Sequence, residues 1–251
     1  MIIKSDMIVE AARWVESSRK ALVWMVLALV AAVSLVYFKA DLLISILVKP
    51  LGGVQLYFLT PAEGLMAKIR VSFLGGIVLA SPVILWLIVR QTGETFQKKT
   101  RRLLIFLIIP FSFVLFVGGM SFGYRLILPS TIKFLMEVGS GFMTPTLSGD
   151  EYFSFVGTLL LCIGLIFELP LILSALSRIG IVTSKMLKGK RKVAIMLSLV
   201  TIAVISPALD VFTFLLVTMP ILVLYEISIW TIVLLENRDK RLGRTKNNAA
   251  S

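Results

Sequence analysis

Long apolar runs, separated by short basic segments, dominate the pattern of hydrophobic and polar positions along this chain. A helix of about 20 apolar residues crosses the ~30 Å hydrocarbon core of a bilayer. The chain contains six apolar windows of this kind, at about residues 21–38, 69–89, 103–128, 155–177, 193–209 and 211–235. The pattern therefore predicts an all-α polytopic membrane protein with six transmembrane helices, in a single membrane domain over residues 1–251.

The fifth window is unusually short. Between Lys192 and Pro207 it holds only about fourteen apolar residues, which span roughly 21 Å as a helix. Such a helix must thin the bilayer locally or lie behind longer neighbours. The connection Ser206–Phe212 is too short for an external domain, so it predicts a tight helical hairpin.

The placement of basic residues indicates the topology. The chain carries 26 Lys and Arg and a formal net charge of +12. Most of them lie in the N-terminal segment, in the loops 90–102 and 178–192, and after residue 236; the exceptions are Lys39, Lys49, Lys68, Arg70, Arg125 and Lys133. The positive-inside rule places the basic clusters and both termini in the cytoplasm. We expect a multi-pass membrane protein with no nucleic-acid partner and with residues 236–251 as a disordered basic tail.

The amino-acid composition argues against several classes of protein. With 58% hydrophobic and 16% charged residues, the chain is not a soluble globular domain. The absence of histidine argues against a metalloenzyme or a His-based hydrolase. The one cysteine, Cys162, lies in an apolar run and is interpreted as a small core residue. Without a phosphate loop, a nucleophile elbow or a metal-ligand cluster, the sequence predicts no enzyme activity, no catalytic residue, no metal and no cofactor.

Two predicted external segments interrupt the apolar pattern. Lys39–Lys68 is amphipathic and contains Pro50 and two glycines, which predicts short interfacial helices. Ser140–Tyr152 is a polar loop that ends in Asp-Glu, a plausible helix start before the fourth span.

Carboxylates within or beside the predicted spans are the candidate functional groups. Glu168 and Glu226 each have two interpretations, a structural hydrogen bond to a neighbouring helix or a carboxylate facing a wet groove. Pro170 frees a backbone carbonyl and is expected to bend the fourth span. Asp210 is either a turn or helix cap or a ligand, and Glu63 is either a helix-start residue or a partner contact.

Several short motifs follow one another along nearly the whole chain. They are PAEGLMAK (Pro61–Lys68), ASPVILW (Ala80–Trp86), FGYRLILP (Phe122–Pro129), FELP (Phe167–Pro170), LKGKRK (Leu187–Lys192), SPALD (Ser206–Asp210) and LYE (Leu224–Glu226). Together, in this order and on this topology, they resemble the TatC family of twin-arginine translocase proteins.

The resemblance implies the core and receptor component of a translocase that exports folded proteins across the cytoplasmic membrane with the proton-motive force. It implies a concave, glove-like bundle with two short C-terminal spans, a location in the bacterial cytoplasmic (inner) membrane and no covalent catalysis. The implied partners are TatA- and TatB-like single-span subunits, twin-arginine signal peptides, the lipid bilayer and further copies of the chain in a homo-oligomer. The implied contact residues are Glu168, Pro170, Asp210, Tyr225 and Glu226 within the membrane, and Pro61 and Glu63 on the periplasmic side.

The signal-peptide site departs from the family pattern. The family motifs place Ser17 and Thr100 where two glutamates are expected to receive the paired arginines of the signal peptide. Hydroxyls beside Lys98, Lys99 and Arg101 make that surface repulsive to a cationic peptide, unless nearby acids substitute for them. The candidate residues on this face are Glu10, Glu16, Arg19, Glu94, Arg101 and Arg102.

Two other functions stay open at this point. One is a divergent, non-transporting structural or regulatory member of the same family. The other is a small-solute transporter that uses Glu168 and Glu226 as a relay, which the lack of detectable internal repeats disfavours.

Overall fold

The computed structural model describes residues 2–57, 60–91, 109–139, 147–178, 181–205 and 211–248. The helices are α1 (Ile2–Tyr37), α2 (Ala40–Val48), α3 (Glu63–Gln91), α4 (Ile109–Phe122), α5 (Leu128–Gly139), α6 (Gly149–Phe167), α7 (Leu169–Arg178), α8 (Ser184–Gly189), α9 (Arg191–Ile205) and α10 (Val211–Asn248). Two short strands, β1 (Leu56–Tyr57) and β2 (Leu147–Ser148), pair in parallel.

The described helices confirm the predicted class, an all-α polytopic membrane protein. Within the described residues, five helical segments are long and apolar enough to cross a membrane: Arg19–Tyr37, Glu63–Leu87, Ile109–Val138, Gly149–Phe167 and Phe214–Asn237. They overlap every predicted window except the fifth. That window corresponds to α9, which has 15 residues and is therefore only about 22 Å long at 1.5 Å per residue.

The chain forms two compact units. Unit 1 comprises Met1–Val117 and Thr146–Gly157, and unit 2 comprises Gly118–Pro145 and Thr158–Ser251. Each unit has its own set of packing contacts.

In unit 1, α3 packs closely against α1. Gly75 and Gly76 on α3 make this possible, because a Cβ on Gly75 would come within 2.8 Å of a methyl carbon of Val36, and a Cβ on Gly76 would overlap Val33. Small residues allow transmembrane helices to approach each other where lipid supplies no hydrophobic driving force between them.

The connection between α1 and α3 contains the short helix α2, a 3₁₀ turn and the strand β1. After α2, a 3₁₀ turn (Lys49–Leu51) ends at Gly52, whose φ of 62° is the left-handed conformation that glycine adopts without strain. The chain then enters β1, which pairs with β2 through Leu56 and Leu147. The hydroxyl of Tyr152 donates a hydrogen bond of 2.6 Å to the carbonyl of Leu47, so α6 is fixed to the end of α2.

In unit 2, the predicted fourth span is divided into two helices. We predicted one span over 155–177 with a bend from Pro170, whereas α6 begins at Gly149 and ends at Phe167, and α7 starts at Leu169. At the junction, the Glu168 N–H donates to Leu165 at 3.1 Å, a tighter i to i−3 bond. Pro170 has no N–H to continue the α-helical pattern, which explains the position of the break.

Two further helix ends differ from the sequence prediction. The described part of the third span runs from Ile109 through a π-helical segment (Gly123–Ile127) into α5, well past the predicted end at residue 128. Pro129 follows the π-helical segment and cannot donate to the carbonyl of Arg125. The last helix, α10, continues to Asn248, so most of the tail predicted to be disordered from residue 236 is helical instead.

Candidate functional site

Glu168 lies at the helix break and is buried, with 8% of its surface exposed. The neighbouring ring of Phe167 packs against Phe122, with 5.7 Å between the ring centroids. A Cβ on Gly119 would lie 2.7 Å from the same Phe167 ring, so α4 approaches α6 closely at this point. The Glu168 side chain is therefore enclosed by protein at the junction of α6 and α7.

Glu226, the second carboxylate within the spans, forms an ion pair with Arg191. The guanidinium NH2 lies 2.7 Å from Oε1 and donates to Oε2 at 3.1 Å. Both side chains are about half exposed, at 50% for Arg191 and 44% for Glu226. The pairing explains how a carboxylate is tolerated in an otherwise apolar helix, because a neutralised pair is far less costly in a membrane than a lone charge.

Tyr225, the residue before Glu226, connects α10 to the short helix α8. Its hydroxyl donates a hydrogen bond of 2.9 Å to the carbonyl of Leu187. The Leu187 side chain is buried against Ile229 and Ile232 of α10. Leu173 of α7 packs against the same cluster. The basic segment that contains α8 is therefore attached to the last helix by both a polar and an apolar contact.

Glu236 makes a further connection, which was not predicted from the sequence. Its carboxylate accepts hydrogen bonds from the Ser184 N–H at 2.8 Å and from the Ser184 hydroxyl at 2.5 Å. The Thr183 hydroxyl accepts from the Met186 N–H at 3.3 Å and caps the same helix. In the sequence, Thr-Ser directly before a short basic segment is a typical helix start. The acid that binds this helix start, Glu236, lies 52 residues away.

An apolar groove of about 470 Å³ lies between α6, α7, α9 and α10 in unit 2. Its walls are formed by Cys162, Leu165, Ile166, Leu169, Leu173, Ala194, Leu197, Ser198, Ile221 and Tyr225. The lining is almost entirely hydrocarbon. The Ser198 hydroxyl donates within its own helix to the Ala194 carbonyl at 2.8 Å, and the Tyr225 hydroxyl donates to Leu187.

Glu63 is the first residue of α3 and organises the turn before it. One carboxylate oxygen accepts from the Thr60 N–H at 3.1 Å, and the other accepts from the Ser148 hydroxyl of β2 at 3.1 Å. Thr60-Pro61-Ala62-Glu63 matches the capping-box pattern, a Thr followed three residues later by Glu, which is a local signal for this arrangement. Pro61 itself is exposed.

The cations near this end of α3, Lys68 and Arg70, both form ion pairs with acids. Lys68 lies 2.9 Å from Asp41 and 5.3 Å from the ring centroid of Tyr37. Arg70 lies 3.0 Å from the Asp150 carboxylate, at the first turn of α6. These contacts join α1, α2, α3 and α6 within unit 1, and they assign a structural role to Lys68 and Arg70.

The predicted signal-peptide residues are only partly described. Glu10, Glu16 and Ser17 lie on α1, and Arg19 is exposed beside a shallow depression formed with Lys20, Val23 and Trp24. Glu94, Thr100, Arg101, Arg102 and Asp210 lie outside the described residues.

Comparison with known proteins gives matches along most of the chain. The family model for Sec-independent protein translocase protein (TatC) matches residues 14–220. The TatC protein of Carboxydothermus hydrogenoformans is 31% identical over 217 residues, which cover 86% of this chain and 89% of that protein. The TatC protein of Aquifex aeolicus is 34% identical over 232 residues, which cover 90% of this chain and 95% of that protein.

Solved structures give the same match in three dimensions. A crystal structure of the twin arginine translocase receptor TatC superposes with a TM-score of 0.73 at 33% identity, covering 88% of this chain and 98% of that one. A second crystal structure of the receptor, in the detergent DDM, gives a TM-score of 0.76 at 33% identity, covering 87% and 99%.

Proposed function

Because this chain belongs to the TatC family of Sec-independent protein translocase proteins, we propose that it receives the twin-arginine signal peptides of folded precursors and exports those precursors using the proton-motive force. The proposal rests on the combined match: the family model covers residues 14–220, and the fold superposes on the receptor over 88% of the chain.

The proposed location is the bacterial cytoplasmic membrane, with both termini in the cytoplasm. Support comes from the basic clusters, which fall at the termini and in two loops. The 178–192 loop, for example, carries the exposed Lys185, Lys188 and Lys190. The positive-inside rule counts the Lys and Arg of such short loops, whether or not an acid lies nearby, and retains them in the cytoplasm.

The proposed signal-peptide site combines α1 with the loop 90–102. Two guanidinium groups need carboxylate acceptors on one surface, and this chain has Ser17 and Thr100 at the family's glutamate positions. Helix α1 is continuous from Ile2 to Tyr37, and helix positions seven residues apart fall on the same side. Glu10 is therefore on the side of Ser17, two turns earlier, and is our first candidate for the substitute acceptor, with Glu16 and Glu94 as alternatives.

The proposed partner surface for single-span TatA- or TatB-like subunits is formed by the fourth to sixth spans. Several apolar side chains of α9 and α10 are exposed, among them Met196, Val200, Met219 and Trp230. The half-exposed pair of Arg191 and Glu226 offers a polar contact on the same helices. Pro170, Asp210 and the buried Glu168 stay predicted contributors to this contact, and we also propose a homo-oligomeric assembly.

Site-specific photocrosslinking tests the receptor role. Photoreactive residues at positions 10–20 and 94–102, in membranes that contain the partner subunits, are expected to crosslink to a twin-arginine precursor. A precursor with twin lysine in place of the arginines is the matched control and is expected to give little product. If neither precursor crosslinks while the partner subunits copurify with the chain, the receptor role is wrong and the non-transporting function is favoured instead.

A further inference from the structure

A group of exposed lysines surrounds helix α8. Lys185, Lys188, Lys190 and Lys192 are all exposed, and none forms an ion pair with a carboxylate among the described side chains. Arg191, in the middle of this group, is by contrast paired with Glu226. Among the described side chains, the segment therefore presents four positive charges within eight residues and no carboxylate paired with them. We call Lys185, Lys188, Lys190 and Lys192 the lysine platform.

Apolar side chains alternate with the platform. Ile181 is 60% exposed, Met186 is 46% exposed and Val193 is 59% exposed. Such a mixture of lysines and exposed apolar side chains is typical of segments at a membrane surface, where the hydrocarbon enters the interface and the ammonium groups stay among the headgroups.

The platform is held in place by contacts with α10. Glu236 binds both the N–H and the hydroxyl of Ser184, and Tyr225 binds the Leu187 carbonyl. Arg191 follows the platform's third lysine and is bound to Glu226. These contacts fix the backbone that carries the four lysines, so less conformational entropy is lost when a ligand binds than on a free loop.

The apolar groove begins one helical turn from the platform. The Ala194 N–H donates to the Lys190 carbonyl at 3.0 Å, so Lys190 directly precedes the first turn of α9. Ala194 and Ser198 lie on one side of that helix at a four-residue interval, and Lys190 lies one turn before Ala194, about 6 Å along the axis. Ala194 and Ser198 line the groove. A charged group at Lys190 and a chain in the groove can therefore belong to the same ligand.

The groove suits a hydrocarbon chain, because its lining is almost entirely apolar. The polar groups of the lining already donate to the protein, as shown by Ser198 and Tyr225. The occupant that fits these walls has no hydrogen-bonding groups of its own.

We propose that the lysine platform and the apolar groove together bind one anionic phospholipid, with its phosphate at Lys188 and Lys190 and one acyl chain in the groove. Charge selects the anionic lipid, because a zwitterionic headgroup leaves the four lysines uncompensated. The lipid would fasten α7, α9 and α10 together at the start of α9, a helix of only 15 residues. This site does not depend on the translocase role, and its test does not measure export.

Native mass spectrometry of the purified full chain tests the headgroup contact. The probes are phosphatidylglycerol and phosphatidylcholine with identical acyl chains, added separately in detergent. We expect phosphatidylglycerol to be retained more strongly than phosphatidylcholine. The double variant Lys188→Gln/Lys190→Gln should lower that retention roughly fivefold for each lysine removed, at low salt.

The matched control is Lys39→Gln/Lys49→Gln, which removes two exposed lysines of unit 1. It should retain phosphatidylglycerol as the unmodified chain does. Equal retention of the two lipids, or equal losses in the two double variants, would overturn the proposal. Loss of the lipid on addition of millimolar inorganic phosphate would also overturn it, because the site would then bind a free phosphate ion.

A photoreactive lipid tests the groove. Phosphatidylglycerol with a diazirine in its acyl chain, in nanodiscs with the chain, should label peptides that contain Cys162–Leu173 and Ala194–Ser198. Ala194→Phe, which fills the groove from one wall, should reduce this labelling at least severalfold, while circular dichroism confirms the helical fold. Labelling spread evenly over all spans, or labelling unchanged by Ala194→Phe, would show that the groove does not hold the acyl chain.

Discussion

The guanidinium of Arg191 lies 2.7 Å from the carboxylate of Glu226, which links the first residue of α9 to the middle of α10. The sequence placed Arg191 in a basic loop that indicates the topology. It gave no specific partner for the carboxylate of Glu226. Their contact gives both residues a structural role. It also fixes the start of α9, whose 15 residues are too few to cross the hydrocarbon core of a bilayer.

The first prediction concerns the coupling of these two residues. Arg191→Ala and Glu226→Ala should each destabilise the chain, and the double variant should be less destabilised than the sum of the two. The expected coupling is about 1 kcal/mol, because both side chains are half exposed and therefore partly screened. Thermal unfolding of the four proteins in one detergent measures it. Strict additivity would mean that the pair contributes nothing to stability.

The second prediction concerns the attachment of α8 to α10. Glu236→Gln weakens the acceptor of both Ser184 hydrogen bonds, so α8 should detach more often and expose the peptide bonds after Lys185 and Lys188. Limited trypsin digestion should then cleave there several times faster than in the unmodified chain. Glu137→Gln, at an exposed acid elsewhere in unit 2, is the control. Equal cleavage rates in the two variants would contradict the attachment.

The third prediction concerns the start of α3. Glu63→Ala removes the acceptor for the Thr60 N–H and for the Ser148 hydroxyl, and should cost about 1 kcal/mol as a lost helix cap. Glu63→Gln should cost less, because glutamine also serves in a capping box. Amide hydrogen exchange at Thr60 and in the first turn of α3 measures the difference. Similar exchange in the two variants would rule out the capping role.

The fourth prediction concerns the close approach of α4 to Phe167. Gly119→Ala places a Cβ 2.7 Å from the Phe167 ring and should destabilise the chain by about 1–3 kcal/mol. In a Phe167→Leu background the same substitution should cost much less, since the ring that it meets is gone. Gly118→Ala is the neighbouring control, because its Cβ has no atom within 4 Å. Equal costs at Gly118 and Gly119 would exclude a packing explanation.

The sequence predicted the fold class because the bilayer imposes it. Spanning segments must satisfy their backbone hydrogen bonds internally and must be about 20 residues long, so apolar windows reveal them directly. The short fifth window was visible for the same reason and corresponds to the 15 residues of α9. The division at Glu168 was partly visible, since Pro170 indicated a bend.

The partners of the polar side chains were not predictable in the same way. Glu226 binds an arginine 35 residues earlier, and Glu236 binds a serine 52 residues earlier. No local pattern connects such positions, because the contacts arise only when α8 and α9 pack against α10. The continuation of α10 to Asn248 was missed because residues 236–251 are polar, and polarity alone was interpreted as disorder. Capping at Glu63 was local and was available from Thr60-Pro61-Ala62-Glu63.

Export of a folded reporter decides whether this chain is a working translocase. The chain, expressed with TatA- and TatB-like subunits from its own source in a bacterium that lacks TatC, should move a fluorescent protein with a twin-arginine signal peptide into the periplasm. A twin-lysine signal peptide or a protonophore should abolish the periplasmic fluorescence. If the chain is present in the membrane and copurifies with those subunits, yet no periplasmic fluorescence appears, the chain does not export folded proteins and the proposed function is wrong.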